Sequence, residues 1–153
     1  MGGLGIFAGF IVAVLLGVPS TNNPEFQYFV AAAIVIFFLG IKDDIMILSA
    51  SKKFIGQLIA AAIIIHFGGI QITNMHGFMG IYGLPPVAGI VLSFFTIIVI
   101  TNSFNLIDGV DGLAGTLGLI TTIALGTYFL VVGQTAYAVL AFSLTGSIIG
   151  FLI

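Results

Sequence analysis

Six apolar stretches, separated by short polar segments, account for most of this chain and limit the folds open to it. Charged residues make up 5% of the sequence and hydrophobic residues 60%, whereas charged residues are about a quarter of a soluble domain. A bilayer-spanning helix needs about 20 apolar residues, so a chain of this length accommodates roughly six of them. The composition therefore predicts an all-α, polytopic membrane helix bundle of about six transmembrane helices.

The apolar runs and the turn residues between them predict where the helices lie. The expected helices are Leu4–Val18, Phe26–Ile41, Phe54–Phe67, Val87–Ile100, Leu113–Val132 and Thr135 to the end. Several of these runs are shorter than an ideal span. Between the third and fourth runs, Ile70–Thr73 alternates apolar and polar residues, which predicts a small hairpin outside the bilayer. We expect one membrane domain over residues 1–153.

The lysines predict the orientation of the chain. All three positively charged residues lie between the second and third predicted helices: Lys42, Lys52 and Lys53. Because cytoplasmic loops are enriched in Lys and Arg, we expect this loop in the cytoplasm. Alternation of the helices then brings Thr101 to Gly112 to the same side. Four acidic residues share that face: Asp43, Asp44, Asp108 and Asp111.

Four carboxylates at one face need a compensating cation, because two unit charges 4 Å apart interact by about 4 kcal/mol at an effective dielectric near 20. Carboxylate and amide oxygens in a cysteine-free chain favour Mg²⁺, or Mn²⁺, over zinc. Mg²⁺ is commonly held by one or two carboxylates and by substrate phosphates. The residue types therefore indicate phosphoryl transfer. They leave open which residues hold the metal, with Asp43 and Asp44 as candidates. The small net charge of −2 gives no indication of a nucleic-acid partner.

Each functional interpretation has a structural alternative. Asp43 and Asp44 could be a solvated pair at a helix end, and Asp111 could be an N-cap. Asn102 and Asn105 could form interhelical hydrogen bonds. The remaining polar and glycine residues also have structural interpretations: Lys52 and Lys53 as snorkelling anchors, Gln57 as an interhelical hydrogen-bonding group, His66 and His76 as structural residues, and Gly109 and Gly112 as turn residues.

Two longer motifs are present at the predicted cytoplasmic face. Gly40 to Asp44, followed by Leu48 to Gln57, forms the first, and Asn102 to Ala114 forms the second. They resemble the two cytoplasmic motifs of the polyprenyl-phosphate N-acetylhexosamine-1-phosphate transferases, the second being the Asn-x-x-Asn-x-x-Asp-Gly-x-Asp-Gly-Leu-Ala signature. Gly2 to Gly5 also resembles the Gly-Gly-Leu segment near an early helix of this family. The resemblance covers essentially the whole chain.

The resemblance implies a Mg²⁺-dependent, multi-pass enzyme of the bacterial cytoplasmic membrane with its active face in the cytoplasm. It would transfer a sugar 1-phosphate from a UDP-sugar to undecaprenyl phosphate, release UMP and begin a cell-envelope glycan. By position, Asp43 and Asp44 would lie at the reacting phosphates and Lys53 at the diphosphate. The nucleotide-sugar pocket would be lined by Asn102, Asn105, Asp108, Gly109 and Asp111.

Two details of the implied reaction follow from chemical argument. Direct attack by the lipid phosphate is favoured over an acyl-phosphate on an aspartate, because an anionic phosphate needs positioning more than proton removal. The loop from Asp44 to Lys53 is short and lacks a basic insertion, which favours UDP-GlcNAc over a peptide-bearing muramyl nucleotide. A homodimer is left open.

Differences from the family pattern produce further expectations. Family members have ten or eleven helices and a later Gly-Asp-x-Gly-Ser motif whose Asp holds Mg²⁺, followed by a His-rich loop. Here Thr145-Gly146-Ser147 lacks that Asp, so we expect a fragment without the N-terminal helices and the C-terminal third, inactive by itself.

The competing classes are a transporter or ion pathway with an acidic cation site, a CDP-alcohol phosphotransferase, which would need an arginine, and a truncated non-catalytic subunit.

Overall fold

The computed structural model describes residues 2–18, 23–107 and 112–152, and in these ranges the chain is mainly helical. The α-helices there are α1 Gly2–Gly17, α2 Glu25–Ile45, α3 Ala50–Ala62, α4 Pro86–Ile107, α5 Leu113–Val131 and α6 Thr135–Leu152. A π-helical segment, Ile63–Phe67, continues α3, and a 3-10 turn, Phe78–Gly80, lies between α3 and α4. Each predicted apolar run corresponds to one helix, which confirms the all-α fold.

Four continuous helices within the described ranges are long and apolar enough to cross a bilayer: Ala50–Phe67, Pro86–Ile107, Leu113–Val131 and Thr135–Leu152. The apolar helix α1 is shorter, with 16 residues, and α2 has acidic or basic residues near both ends. Large apolar side chains are exposed along the helices, as at Leu16, Val91 and Val131. This surface suits contact with lipid acyl chains, and the chain is a polytopic membrane protein as predicted.

Two helices are longer than their apolar runs. Helix α2 includes Lys42 and Asp43, and its last turn is closed by a hydrogen bond from the Met46 N–H to the Lys42 carbonyl. Helix α4 continues through the polar residues after Ile100 as far as Ile107, and within it the Thr101 hydroxyl donates to the Ile97 carbonyl. Such backbone bonds satisfy polar side chains within a helix. The polar ends of both helices are therefore ordered parts of the helices.

One group of elements comprises α1, α5 and α6, with α6 packed against both of the others. Small residues allow the close contacts: a Cβ at Gly126 would lie 2.9 Å from the Phe142 ring, and one at Gly9 would lie 3.1 Å from a side chain of α6. The buried Thr145 hydroxyl donates to the Thr122 hydroxyl over 2.9 Å. These contacts show that small residues and a hydroxyl hydrogen bond allow close helix packing in this group.

The second group comprises α2, α3, the π-helical segment and most of α4. Helix α2 packs along α3 and the π-helical segment, and Gly56 of α3 lies against Leu39. The connection to α4 forms a hairpin over residues 73–84, with an antiparallel bridge between Asn74 and Gly83. The hairpin was expected to begin at Ile70, but the Ile72 N–H donates to a side chain of α4 instead. Pairing therefore starts three residues later than predicted.

Candidate functional site

The turn between α2 and α3 brings an acidic and a basic residue together. Asp43 lies in the last turn of α2, and Lys53 lies in the first turn of α3. The Asp43 Oδ1 atom accepts a hydrogen bond from the Leu48 N–H at 3.1 Å. The Lys53 Nζ atom lies 2.6 Å from Asp43 Oδ2. The Asp43 carboxylate thus stabilises the turn through the Leu48 N–H and fixes the position of the Lys53 ammonium group.

This ion pair is partly accessible to solvent, since 39% of the Lys53 side chain and 31% of the Asp43 side chain are exposed. Asp43 lies beyond the apolar run of α2. The hydrogen bond from Lys53 is the main cause of a lowered pKa for the Asp43 carboxyl, and the Leu48 N–H acts in the same direction. Asp43 is therefore an anion at neutral pH. Its pKa is lowered, whereas a carboxyl that acts as a general acid has a raised pKa.

A reciprocal amide pair lies one turn further along α3. Gln57 is 3% exposed, and its Nε2 atom donates to Asn102 Oδ1 of α4 at 3.2 Å. In return, Asn102 Nδ2 donates to Gln57 Oε1 at 3.0 Å and to the Ile98 carbonyl at 2.9 Å. This pairing confirms the interhelical role predicted for Gln57 and the structural alternative for Asn102.

An open cavity of about 420 Å³ lies beside these two pairs. Its walls come from the first two turns of α3 and from the part of α4 where the second motif begins: Ala50, Ser51, Lys53, Phe54, Gln57 and Asn102. The size falls within the range of small-molecule sites. The cavity therefore joins one residue group from each of the two motifs found in the sequence.

The unused hydrogen-bonding capacity of these side chains defines what the cavity can bind. An ammonium group has three N–H donors, and Asp43 accepts one from Lys53, which leaves two for phosphate oxygens. Both N–H groups of the Asn102 amide are engaged, so only its oxygen has a free lone pair. The site thus offers the Lys53 ammonium group to an anion, and the Asn102 side-chain oxygen to a hydroxyl or N–H group.

The remaining predicted site residues fall into two classes. Asp44, at the end of α2, and Asn105, one turn beyond Asn102 on α4, are both exposed. Asp108, Gly109 and Asp111 lie outside the described residues, so their predicted roles stay predictions. Their convergence with Asp43 at one face also stays a prediction.

Several structural alternatives have a clear outcome. The residue that precedes α5 is Gly112, with φ 75°, so the N-cap position predicted for Asp111 belongs to a glycine. Lys53 forms an ion pair with Asp43, and the snorkelling interpretation of Lys52 and Lys53 stays a prediction. His66 is exposed and makes an edge contact with the Phe67 ring, and the His76 N–H donates to Asn74 Oδ1.

Three members of the cavity and the role of one backbone group were not predicted from the sequence. Ala50, Ser51 and Phe54 line the cavity, and the Leu48 N–H contributes to holding Asp43. The spacing of Lys53 and Gln57, four residues apart on one face of α3, contained a signal for a shared site. No sequence signal marks Ser51 or the Leu48 N–H, because their contributions depend on the course of the turn.

A divalent metal such as Mg²⁺ needs several oxygen ligands close together. In the described part of the chain, no three Asp, Glu or His side chains come together as a metal site. The Asp43 carboxylate is engaged by Lys53 and Leu48. The described residues therefore do not make up a magnesium site by themselves, and no step below is derived through a metal.

Comparison with known proteins identifies the family of this chain. A family model described as glycosyl transferase family 4 matches residues 26–153, a range that contains both motifs. The chain belongs to this family. No solved structure matches it.

The relatives found for this member of glycosyl transferase family 4 are polyprenyl-phosphate transferases. It is 33% identical over 173 residues to decaprenyl-phosphate N-acetylglucosaminephosphotransferase of Mycobacterium tuberculosis strain H37Rv, covering 99% of this chain and 42% of that protein. It is 27% identical over 154 residues to undecaprenyl-phosphate alpha-N-acetylglucosaminyl 1-phosphate transferase of Escherichia coli strain K12, covering 99% and 41%. The chain spans about two-fifths of the length of these curated relatives.

Proposed function

We propose that this chain contributes the phosphate-binding face of an enzyme that transfers GlcNAc 1-phosphate from UDP-GlcNAc to a polyprenyl phosphate such as undecaprenyl phosphate, with release of UMP. The product lipid would begin a glycan of the bacterial cell envelope. The names of the relatives support this reaction class, since they act on decaprenyl or undecaprenyl phosphate with N-acetylglucosamine.

One observation supports the proposal above all others. The ion pair of Lys53 with Asp43 belongs to the first motif, and the amide pair of Gln57 with Asn102 joins it to the second. Lys53 of the ion pair and both amides line the same open cavity. A cation held by a carboxylate, next to a polar acceptor, is suited to a diphosphate attached to a sugar or a nucleoside.

In the proposed reaction an oxygen of the lipid phosphate attacks the phosphorus that bears the sugar. A new P–O bond forms, the P–O bond to UMP breaks, and the leaving UMP takes the electron pair. The two free N–H groups of Lys53 would neutralise charge on the phosphoryl oxygens, and Asp43 would keep the ammonium group in position. Such fixed charges and positioning supply most of the catalysis in phosphoryl transfer.

Magnesium belongs to the proposal as an ion that arrives with the substrate diphosphate. Mg²⁺ usually retains several waters and binds one or two carboxylates together with phosphates, and the exposed Asp44 is the carboxylate of the first motif open to solvent. We also propose that the cavity faces the cytoplasm, because all lysines of the chain lie in the α2–α3 turn region.

The proposal is tested with membranes from cells that express the whole gene product. Radiolabelled UDP-GlcNAc and undecaprenyl phosphate are supplied with Mg²⁺ or with excess chelator, and the labelled lipid and the released nucleotide are separated. We expect UMP as the nucleotide, and loss of product with chelator. Lys53→Met should reduce product formation about 100-fold, the magnitude seen when one preorganised charge-stabilising group is removed.

Lys52→Met is the matched control, since Lys52 is exposed and does not line the cavity. Its effect should be less than about threefold, because an exposed charge is screened by salt. Release of UDP in place of UMP would contradict the reaction type. Undiminished product in Lys53→Met, Asp43→Asn, Asp44→Asn and Asp108→Asn would remove the site assignment.

A further inference from the structure

The hairpin of residues 73–84 has an unusual surface for a loop. Four of its large apolar side chains are exposed: Phe78 63%, Met79 85%, Ile81 46% and Tyr82 68%. No Asp, Glu, Lys or Arg occurs anywhere from Gly68 to Pro86. Exposed apolar groups of this kind mark a contact with a membrane or another apolar surface.

The backbone of the hairpin is largely satisfied from within. The Met75 N–H donates to the Tyr82 carbonyl at 2.7 Å, the Leu84 N–H to the Thr73 carbonyl at 2.9 Å, and the Gly77 N–H to the Ile81 carbonyl at 2.9 Å. In an apolar medium each unpaired backbone group costs several kcal/mol. These bonds remove much of that cost, so the hairpin is suited to an apolar setting.

The chain that enters the hairpin lies beside a membrane helix. The Ile72 N–H donates to the Ser93 hydroxyl at 2.8 Å, and the Ile72 carbonyl approaches Gly89 so closely that a Cβ there would lie 2.5 Å from it. Ser93 is seven residues past the start of α4, which is about 10 Å along the helix axis. The entry segment is therefore fastened at the depth of the second turn of α4.

The first residues of α4 set the depth of the hairpin in the bilayer. Helix α4, Pro86–Ile107, is long and apolar enough to cross a bilayer, and its apolar run begins at Val87, three residues after the hairpin ends at Leu84. The hairpin therefore lies at the end of α4 where the span begins. The exposed apolar surface of α4, including Val87 and Val91, continues toward that end.

We propose that hairpin 73–84 is a membrane anchor whose tip inserts into the lipid leaflet opposite the Lys42–Lys53 loop. Its occupant is the boundary between acyl chains and headgroups of the phospholipid bilayer. Phe78 and Met79 contact acyl chains, and Tyr82 places its ring at the interface with its hydroxyl toward the headgroups, as is typical of interfacial aromatic residues. The proposal does not depend on the enzymatic reaction.

The test uses the absence of tryptophan from the chain. Phe78→Trp and, as a second reporter, Tyr82→Trp are reconstituted separately into phosphatidylcholine vesicles with or without brominated acyl chains. We expect emission at shorter wavelength than for indole in water. Lipids brominated near the headgroup should quench it more than lipids brominated at the chain end, because interfacial insertion reaches about 5–10 Å.

Two matched variants calibrate the signal. Ser49→Trp replaces an exposed polar residue in the α2–α3 turn, and should emit as indole in water without lipid quenching. Val91→Trp replaces an exposed residue of α4 and should be quenched by lipid. Emission of both hairpin reporters like that of Ser49→Trp would overturn the proposal. So would a short-wavelength emission that disappears on dilution of protein in lipid, since the contact would then be a second copy of the chain.

Discussion

At the scale of single residues, the two acidic neighbours of the first motif differ in their surroundings. Asp43 is engaged by Lys53 and the Leu48 N–H, whereas Asp44 is exposed. A carboxylate with a lowered pKa and two partners is suited to positioning, and a solvent-exposed carboxylate is free to meet a substrate or an ion. The structure therefore separates the roles of two residues that are adjacent in sequence.

The lowered pKa of Asp43 leads to a pH prediction. Its ordinary value is 3.8 and its folded value is lower, so the ion pair stabilises the fold fully above about pH 3.8 and is lost as pH falls through the folded pKa. The melting temperature of Asp43→Asn should lie slightly below that of the wild type by an amount that is constant between about pH 5 and 8. Below pH 3.8 the difference should close.

Thermal unfolding in detergent, followed by circular dichroism over this pH range, measures the difference. A stability difference between the two proteins that grows as the pH falls would show that the Asp43 carboxyl is stabilised in its protonated form, contrary to the geometry. Lys53→Met should show the same pH profile as Asp43→Asn, since both variants break the same pair.

The amide pair gives a prediction by double substitution. Gln57→Leu leaves the Asn102 amide without its partner, and should lower the free energy of unfolding by about 1–3 kcal/mol. Replacement of both partners in Gln57→Leu/Asn102→Leu should cost less than the sum of the single changes, because no polar group is then left unpaired. Thermal unfolding in detergent measures all three variants. Strictly additive losses would mean that the two amides do not interact.

At the scale of helices, small residues decide which surfaces approach each other. Gly126 admits the Phe142 ring between α5 and α6, and Gly89 admits the Ile72 carbonyl at α4. Without a large hydrophobic driving force between helices in lipid, close packing and hydrogen bonds supply the attraction. The hydroxyl bond between Thr145 and Thr122 is one such contribution.

Two glycine substitutions test this packing. Gly89→Ala places a Cβ 2.5 Å from the backbone oxygen of Ile72, and should lower the free energy of unfolding by about 1–3 kcal/mol because the entry segment must shift. Gly146→Ala is the control, since no atom lies within 4 Å of its added Cβ. It should be neutral or stabilising by about 0.5–1 kcal/mol, the helix preference of alanine over glycine. Equal melting temperatures would contradict the close approach at Gly89.

At the scale of the whole molecule, the positions of the three lysines are the basis of the proposed orientation in the membrane. The absence of cysteine from the chain allows single cysteines to report it. Ile47→Cys, in the α2–α3 turn, should react with an impermeant thiol reagent only after the membrane is opened. Gln134→Cys, exposed between α5 and α6, should react in intact cells. The reverse labelling pattern would place the candidate site on the outer side and would contradict the proposed use of a nucleotide sugar from the cytoplasm.

The helical class, the number of helices and the polar motifs were predictable from the sequence, because apolar run length and charge placement directly report the cost of contact with lipid. Asp43, Lys53, Asn102 and Gln57 were all identified as polar groups that needed an explanation. The helix ends were less predictable, since Lys42 and Thr101 continue their helices through hydrogen bonds that no hydropathy pattern contains.

The sequence by itself determined that this is a multi-helix membrane protein with two polar motifs, since composition and spacing are properties of the chain alone. Only the tertiary structure decided which polar groups meet: Lys53 with Asp43 across a turn, and Gln57 with Asn102 across 45 residues. The same holds for Ile72, which bonds to Ser93 of α4. The physical reason is that these pairings depend on how the helices and loops pack, which is settled by shape and hydrogen bonding in three dimensions.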